Sequence, residues 1–249
     1  MTLTATAQSH CARSAWLRNG LGRRVYALEC KLVTEALTQV FGWQLLQIGG
    51  WGDSPELLEG VRTQRKAVIA HDALAMTEGI MAIQSRTDSL AIASDSIDAV
   101  LLPHTLENTA DPHELLREVE RILQGDGQLI VIGFRPLSLW GTRNLLATSG
   151  FPPGTERLLG ERRLRDWLKL LGFEVIDAQR YLFTWPWGTT QPPAQRLMET
   201  LGNRLWPLFA GAYLLKARKR VYALTPIRPR WRIHKQVVGG LIEPTRLKR

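Results

Sequence analysis

Apolar and polar positions alternate along this chain in two rhythms, and the rhythms take turns. In "RRVYALECKLVTEALTQVF", Val25, Leu28, Leu32, Ala36, Leu37 and Val40 recur at helical spacing, which predicts an amphipathic helix closed by Gly42. The short run Gln44–Ile48 then reads as a buried strand. Ser54-Pro55-Glu56 follows with a helix-start pattern, a capping hydroxyl before a proline that suits the first turn. "AVIA" (67–70) predicts a second strand ending at His71-Asp72, and Ile97–Leu102 another.

The next helix is the best marked. Asp111 is its predicted cap, Pro112 its start, and Leu115, Leu116, Val119, Ile122 and Leu123 its buried stripe. Gly125-Asp126-Gly127 stops it and turns into "QLIVIGF", a near-continuous apolar run of the kind that marks a parallel strand covered on both faces. After a loop rich in Pro and Gly the pattern repeats. A helix carries Leu164, Trp167, Leu168 and Leu171, Gly172 stops it, and Phe173–Ala178 is a strand. "GAYLLKARKRVYAL" reads as a long final strand. Alternating helices and strands predict a doubly wound α/β sheet.

Charge changes the picture at one end. The net charge is +9, yet residues 216–249 hold eleven Lys/Arg against Glu243 alone, so residues 1–215 are close to neutral. A basic tail suits RNA, an anionic surface or an acidic partner, and a solvated end is the plainer alternative. Trp231 in "RPRWRIHK" favours binding, because an aromatic ring among arginines can stack on a base. The two cysteines, Cys11 and Cys30, fit no zinc spacing and point to a reducing, cytoplasmic setting. No apolar run approaches the ~20 residues of a membrane span. The scattered histidines offer no metal-ligand spacing and no Ser-His-Asp arrangement.

The block "SLAIASDSIDAVLLPHTLENTADPHELLREVERILQGDGQLIVIGF" resembles the central part of class I S-adenosylmethionine (SAM)-dependent methyltransferases of the type 11, ubiquinone/menaquinone methyltransferase-like group. The matching positions are Ile92, Ile97-Asp98, His104, Arg121, Leu123 and Gly127, and the resemblance extends over roughly residues 44–180. It implies a mostly parallel, seven-stranded Rossmann-like sheet with helices on both faces and an antiparallel closing strand. It also implies SAM as cofactor and methyl transfer to a small-molecule or lipid-like acceptor. Two alternatives stand beside it: a methyltransferase-fold binding module without SAM chemistry, and an RNA methyltransferase using the basic tail.

The resemblance divides the chain into an N-terminal helical extension (1–43), a methyltransferase-like domain (44–222) with a lid-like insertion (183–210), and a basic tail (223–249). The insertion brings Trp185, Trp187, Trp206 and Phe209, and the loop after the fifth strand brings Trp140, as an apolar acceptor wall or as core.

The family's first motif is an acid followed by alternating glycines. In "LLQIGGWGD" Gln47 stands for the acid, Gly49 matches, and Trp51 and Asp53 replace the later glycines, with Gly50 and Gly52 displaced by one place. The expected cofactor residues are therefore Gln47, Gly49, Gly50 and Trp51 in a remodelled turn. Asp72 is expected at the ribose hydroxyls, with Asp88 and Ser89 at the adenine edge and His104 lining the pocket. His104 is also the candidate general base. Ligands in open parallel sheets sit beyond the strands' carboxyl ends where strand order reverses, and Gly49-Gly50, Asp72 and His104 all fall at such ends.

Overall fold

The computed structural model describes residues 11–38, 40, 42, 44–52, 54–58, 61, 63–70, 79–85, 89–147, 150–155, 157–183, 186 and 210–220. His71, Asp72, Asp88, nearly all of the 183–210 insertion and the tail 223–249 lie outside them.

Residues 11–18 form a first helix, α1. The chain then runs α2 (Gly20–Thr38), β1 (Gln44–Ile48), α3 (Ser54–Leu58), β2 (Arg65–Ala70), β3 (Ile80–Gln84), β4 (Ile97–Pro103) and α4 (Pro112–Ile122). It continues with β5 (Leu123–Phe134), α5 (Leu139–Leu146), α6 (Glu161–Leu170), β6 (Phe173–Tyr181) and β7 (Ala212–Lys219). Seven strands form one sheet in the order β3-β2-β1-β4-β5-β7-β6. β7 is antiparallel to both its neighbours, and the other pairings are parallel.

Strand side chains alternate between two buried clusters, one on each face of the sheet. Leu45, Ala99 and Leu101 join Val25, Tyr26, Val33 and Leu37 of α2, Leu57 and Leu58 of α3, and Trp140 of α5. Leu46, Ile48, Val100 and Leu102 join the α4 stripe together with Leu164 and Leu168 of α6. Burial on both faces explains why β4 and β5 read as continuous apolar runs.

α4 has the expected cap: the Asp111 carboxylate accepts the N–H groups of His113 and Glu114. The glycine-flanked turn after it lies inside β5. Asp126 has φ +65°, and the register slips between Ile97↔Leu123 and Ala99↔Gln128, so three residues bulge before β5 settles beside β4.

Two elements were not anticipated. β3 is an exposed edge strand, with Met81 largely in solvent, and so lacks the apolar continuity of the inner strands. α5 stands where the proline- and glycine-rich stretch suggested a loop. Ser138 caps it by accepting the Gly141 N–H at 3.0 Å, and Trp140 pins it to the core. Ser138→Ala should therefore cost about 1 kcal/mol in urea unfolding, the usual worth of a helix cap.

Among the described residues no helix is long and apolar enough to cross a membrane.

Candidate functional site

Strand order reverses between β1 and β4, so the crevice beyond their carboxyl ends is the ligand position that this topology defines. The β1 side ends in the turn Gly49–Gly52. Gly49 has φ +94° and Gly52 φ +68°, conformations that L side chains rarely adopt. A Cβ at Gly49 would meet the Thr105 side chain, and one at Gly52 would meet the Tyr26 ring. The Thr105 hydroxyl donates to the Ile48 carbonyl and ties the β4 turn to the end of β1.

Gln47 is fully buried at the end of β1. Its amide nitrogen donates to the Gly49 carbonyl at 3.0 Å, while its Oε1 is buried without a hydrogen-bond partner among the described residues. Such an orphan acceptor is uncommon and costs stability unless a donor arrives.

Trp51 is also fully buried, so it does not project into the crevice as a free ring. Its indole N–H donates to Glu29 Oε2 at 2.6 Å. Glu29, on α2, carries more than that contact: its Oε1 accepts from Tyr181 Oη at 2.9 Å and pairs with His104 Nε2 at 3.0 Å. The other ring nitrogen of His104, Nδ1, is 3.2 Å from Glu107 Oε2, and Glu107 Oε1 accepts the Phe134 N–H. The His104 ring lies between Trp51 (centroids 4.0 Å apart) and Phe134 (4.2 Å). Phe134 stacks in turn on Trp140. Trp140 is thus part of the packed core next to the crevice.

Burial works against charge on His104, but Glu29 and Glu107 outweigh it, and the imidazole is pushed up to about 9. At neutral pH the ring is an imidazolium that donates from both nitrogens. It has no lone pair to take a proton from an acceptor, so in this arrangement it supplies no general base. Its backbone is also unusual, with φ +53° in a residue that is not glycine, fixed by the His104 N–H donating to the Ile132 carbonyl. Burial drives the Glu107 carboxyl above its ordinary range, against the pull of His104.

Both groups therefore bind protons more tightly in the folded chain than in the unfolded one. His104 contributes its full stabilisation below its unfolded value near 6.5 and loses it as pH rises through about 9. Unfolding free energy should thus fall between pH 6.5 and 9 by a few kcal/mol, and His104→Gln should flatten that slope in urea titrations at several pH values.

Of the other expected cofactor residues, Gly50 is half-buried in the turn and Ser89 is exposed. Asp72 and Asp88 lie outside the described residues. The structure brings Gln47, Gly49, Trp51 and His104 together at one strand-end crevice. Sequence reasoning missed Glu29, Tyr181 and Thr105. Glu29 did leave a trace, since it sits four residues from both Val25 and Val33, in the middle of the apolar stripe. Arg121, one of the resemblance positions, has a structural job: its guanidinium donates to the Ile92 and Leu90 carbonyls while paired with Glu118, holding the loop before β4. Asp98 accepts the Gln44 N–H and braces the start of β1.

Sheet order, the glycine turn on β1 and the histidine turn on β4 together define a class I methyltransferase fold. The comparisons agree. A family model described as "Methyltransferase domain" matches residues 33–131. The Escherichia coli (strain K12) protein YafS is 34% identical over 191 residues, covering 76% of this chain and 73% of YafS. A Mycobacterium tuberculosis (strain ATCC 25618 / H37Rv) protein is 31% identical over 179 residues, covering 70% of this chain and 61% of its own.

Among solved structures, a SAM-dependent methyltransferase from Thermotoga maritima superposes with a TM-score of 0.56 at 17% identity, over 79% of this chain and 90% of that one. The [4+2]-cyclase SpnF does so with a TM-score of 0.56 at 17% identity, over 82% and 84%. These structural likenesses speak for the fold. The chain belongs to the class I SAM-dependent methyltransferases of the type 11 group.

Proposed function

We propose that the chain transfers a methyl group from SAM to a small-molecule or lipid-like acceptor. The observation that carries this reading is Gln47. Its buried Oε1, without a hydrogen-bond partner among the described residues, stands beside the Gly49 turn at the switch point of a methyltransferase sheet. The ammonium of SAM is the type of donor that would complete it, so the residues present fit the amino-acid end of that cofactor. When bound, SAM supplies a methyl group on a sulfonium leaving group. The protein's part is then alignment, which can be worth about 7–11 kcal/mol of the barrier.

Under this reading Asp72 holds the ribose hydroxyls and Asp88-Ser89 the adenine edge. With His104 held as an imidazolium, the reading favours an acceptor whose nucleophile carries its own lone pair and needs no strong base.

Thermal shift tests the reading through linkage. S-adenosylhomocysteine, the demethylated product, at about 100 times its dissociation constant should add about 2.7 kcal/mol to wild-type stability. Gln47→Leu and Asp72→Ala should each weaken that effect at the same concentration. An equal shift in Gln47→Leu would remove Gln47 from the cofactor site.

A second reading has an observation of its own. Trp51 and Thr105 fill space beside the turn, and the fold neighbour SpnF is a [4+2]-cyclase. A chain that binds neither SAM nor its product would fit a methyltransferase fold in another role. The RNA reading rests on the tail, and deletion of residues 223–249 tests it: RNA affinity that survives deletion, or was never present, counts against it.

A further inference from the structure

The Glu29 side chain touches three separate strand-end elements of the crevice at once. Trp51 belongs to the turn after β1, His104 to the turn after β4, and Tyr181 to the end of β6. All four side chains are buried. Where the family's motif has a glycine, this chain has a tryptophan, and that tryptophan's single polar atom is satisfied by a carboxylate from α2. We propose that Glu29 is the positioning residue of the cofactor turn: through the indole of Trp51 it holds the remodelled Gly49–Gly52 backbone in the shape that receives SAM. This rests on the reading of that turn as the SAM site.

The geometry makes the role specific to a side chain with two acceptor oxygens. Three donors converge on two oxygens, Trp51 Nε1 on Oε2, and His104 Nε2 and Tyr181 Oη on Oε1. An amide in place of the carboxylate keeps one acceptor oxygen and turns the other position into a donor. If the oxygen stays with His104 and Tyr181, the new NH2 group faces the Trp51 N–H across 2.6 Å. Two donors at that distance repel, and a buried indole N–H left without an acceptor is costly, so the indole moves and the turn moves with it. Phenylalanine at position 51 keeps a stacking ring but has no N–H, so it removes the conflict and the tether together.

The test is a double-mutant cycle on the full chain, read by calorimetric titration with S-adenosylhomocysteine well below each variant's unfolding midpoint. Glu29→Gln and Trp51→Phe are each expected to weaken binding about tenfold, and the double variant should bind no more weakly than Trp51→Phe alone. The Trp51 indole N–H resonance, assigned by its loss in Trp51→Phe, should lie far downfield in the wild type and shift in Glu29→Gln. A role in stability alone would lower the unfolding midpoint of Glu29→Gln and leave its affinity at the wild-type value, which would overturn the proposal. Additive losses in the double variant would overturn it too, because Glu29 would then act by a route other than Trp51. Should Glu29→Gln not fold, Trp51→Phe decides: weakened binding supports the tether and wild-type affinity overturns it. A wild-type chain that binds no S-adenosylhomocysteine removes the proposed function itself, and the tether's role in it, whatever the variants do.

Discussion

His104→Ala is expected to lose about 3–5 kcal/mol of unfolding free energy at pH 7, the usual cost of breaking a buried ion pair by removing one partner. Glu29 and Glu107 are fully buried, and the imidazolium between them is the cation both contact directly. Without it the two buried carboxylates lose the cation they share. The remaining donors, Trp51 and Tyr181 on Glu29 and the Phe134 N–H on Glu107, are neutral, and the buried Arg13 guanidinium, which also acts on Glu107, compensates only part of the charge.

Urea unfolding measures the loss, and two features mark its origin. It should shrink as pH falls and the Glu107 carboxyl, which burial already pushes upward, takes a proton, and adding Glu107→Gln to His104→Ala should restore part of it. A loss below 1 kcal/mol at pH 7 would mean that the cluster is wetter or less charged than its geometry says.

Trp51→Ala should cost a similar amount, about 3–5 kcal/mol, for a different reason. The indole is fully buried, tilted at 35° against the His104 ring with centroids 4.0 Å apart, 6.0 Å from the Phe134 ring, and covered on one side by the Arg13 guanidinium. Removing it opens a cavity beneath a turn pinned by Thr105 and Tyr26, which limits collapse. It also leaves Glu29 short of a donor. Trp51→Phe should recover most of the packing and little of the hydrogen bond, so its loss in stability should be clearly smaller. Equal losses for alanine and phenylalanine would place the whole effect on the indole N–H.

What the sequence disclosed follows from which forces are written locally. The α4 stripe and its Asp111 cap are properties of consecutive residues, and the structure buries Leu115, Leu116, Val119 and Ile122 as the spacing predicts. β1, β4 and β5 were legible because strands covered on both faces need unbroken apolar runs. β3 was not, because an edge strand half in solvent needs no such run.

The helix over Gly20–Thr38 was legible as an element but not in its main feature. Glu29 reads only as an acid set in the apolar stripe until its partners Trp51, His104 and Tyr181 are known, and these lie 22, 75 and 152 residues away along the chain. A charged residue in an apolar stripe signals either a break in the stripe or a buried partner. Only the fold decides between them.

For the same reason the glycine turn was readable as remodelled but not as tethered. The replacement of glycine by Trp51 is visible in one short stretch, whereas the acceptor for its indole comes from an element that precedes the turn. His104 was picked out by its place after β4, and its charge state followed only from the two carboxylates the fold sets against it.

The most direct test of the account is calorimetric titration of the full wild-type chain with SAM and, separately, with S-adenosylhomocysteine. One-site binding of both with a micromolar dissociation constant is the predicted result. A folded chain that gives no binding heat with either compound up to millimolar concentration, and no shift in its unfolding midpoint, would contradict it.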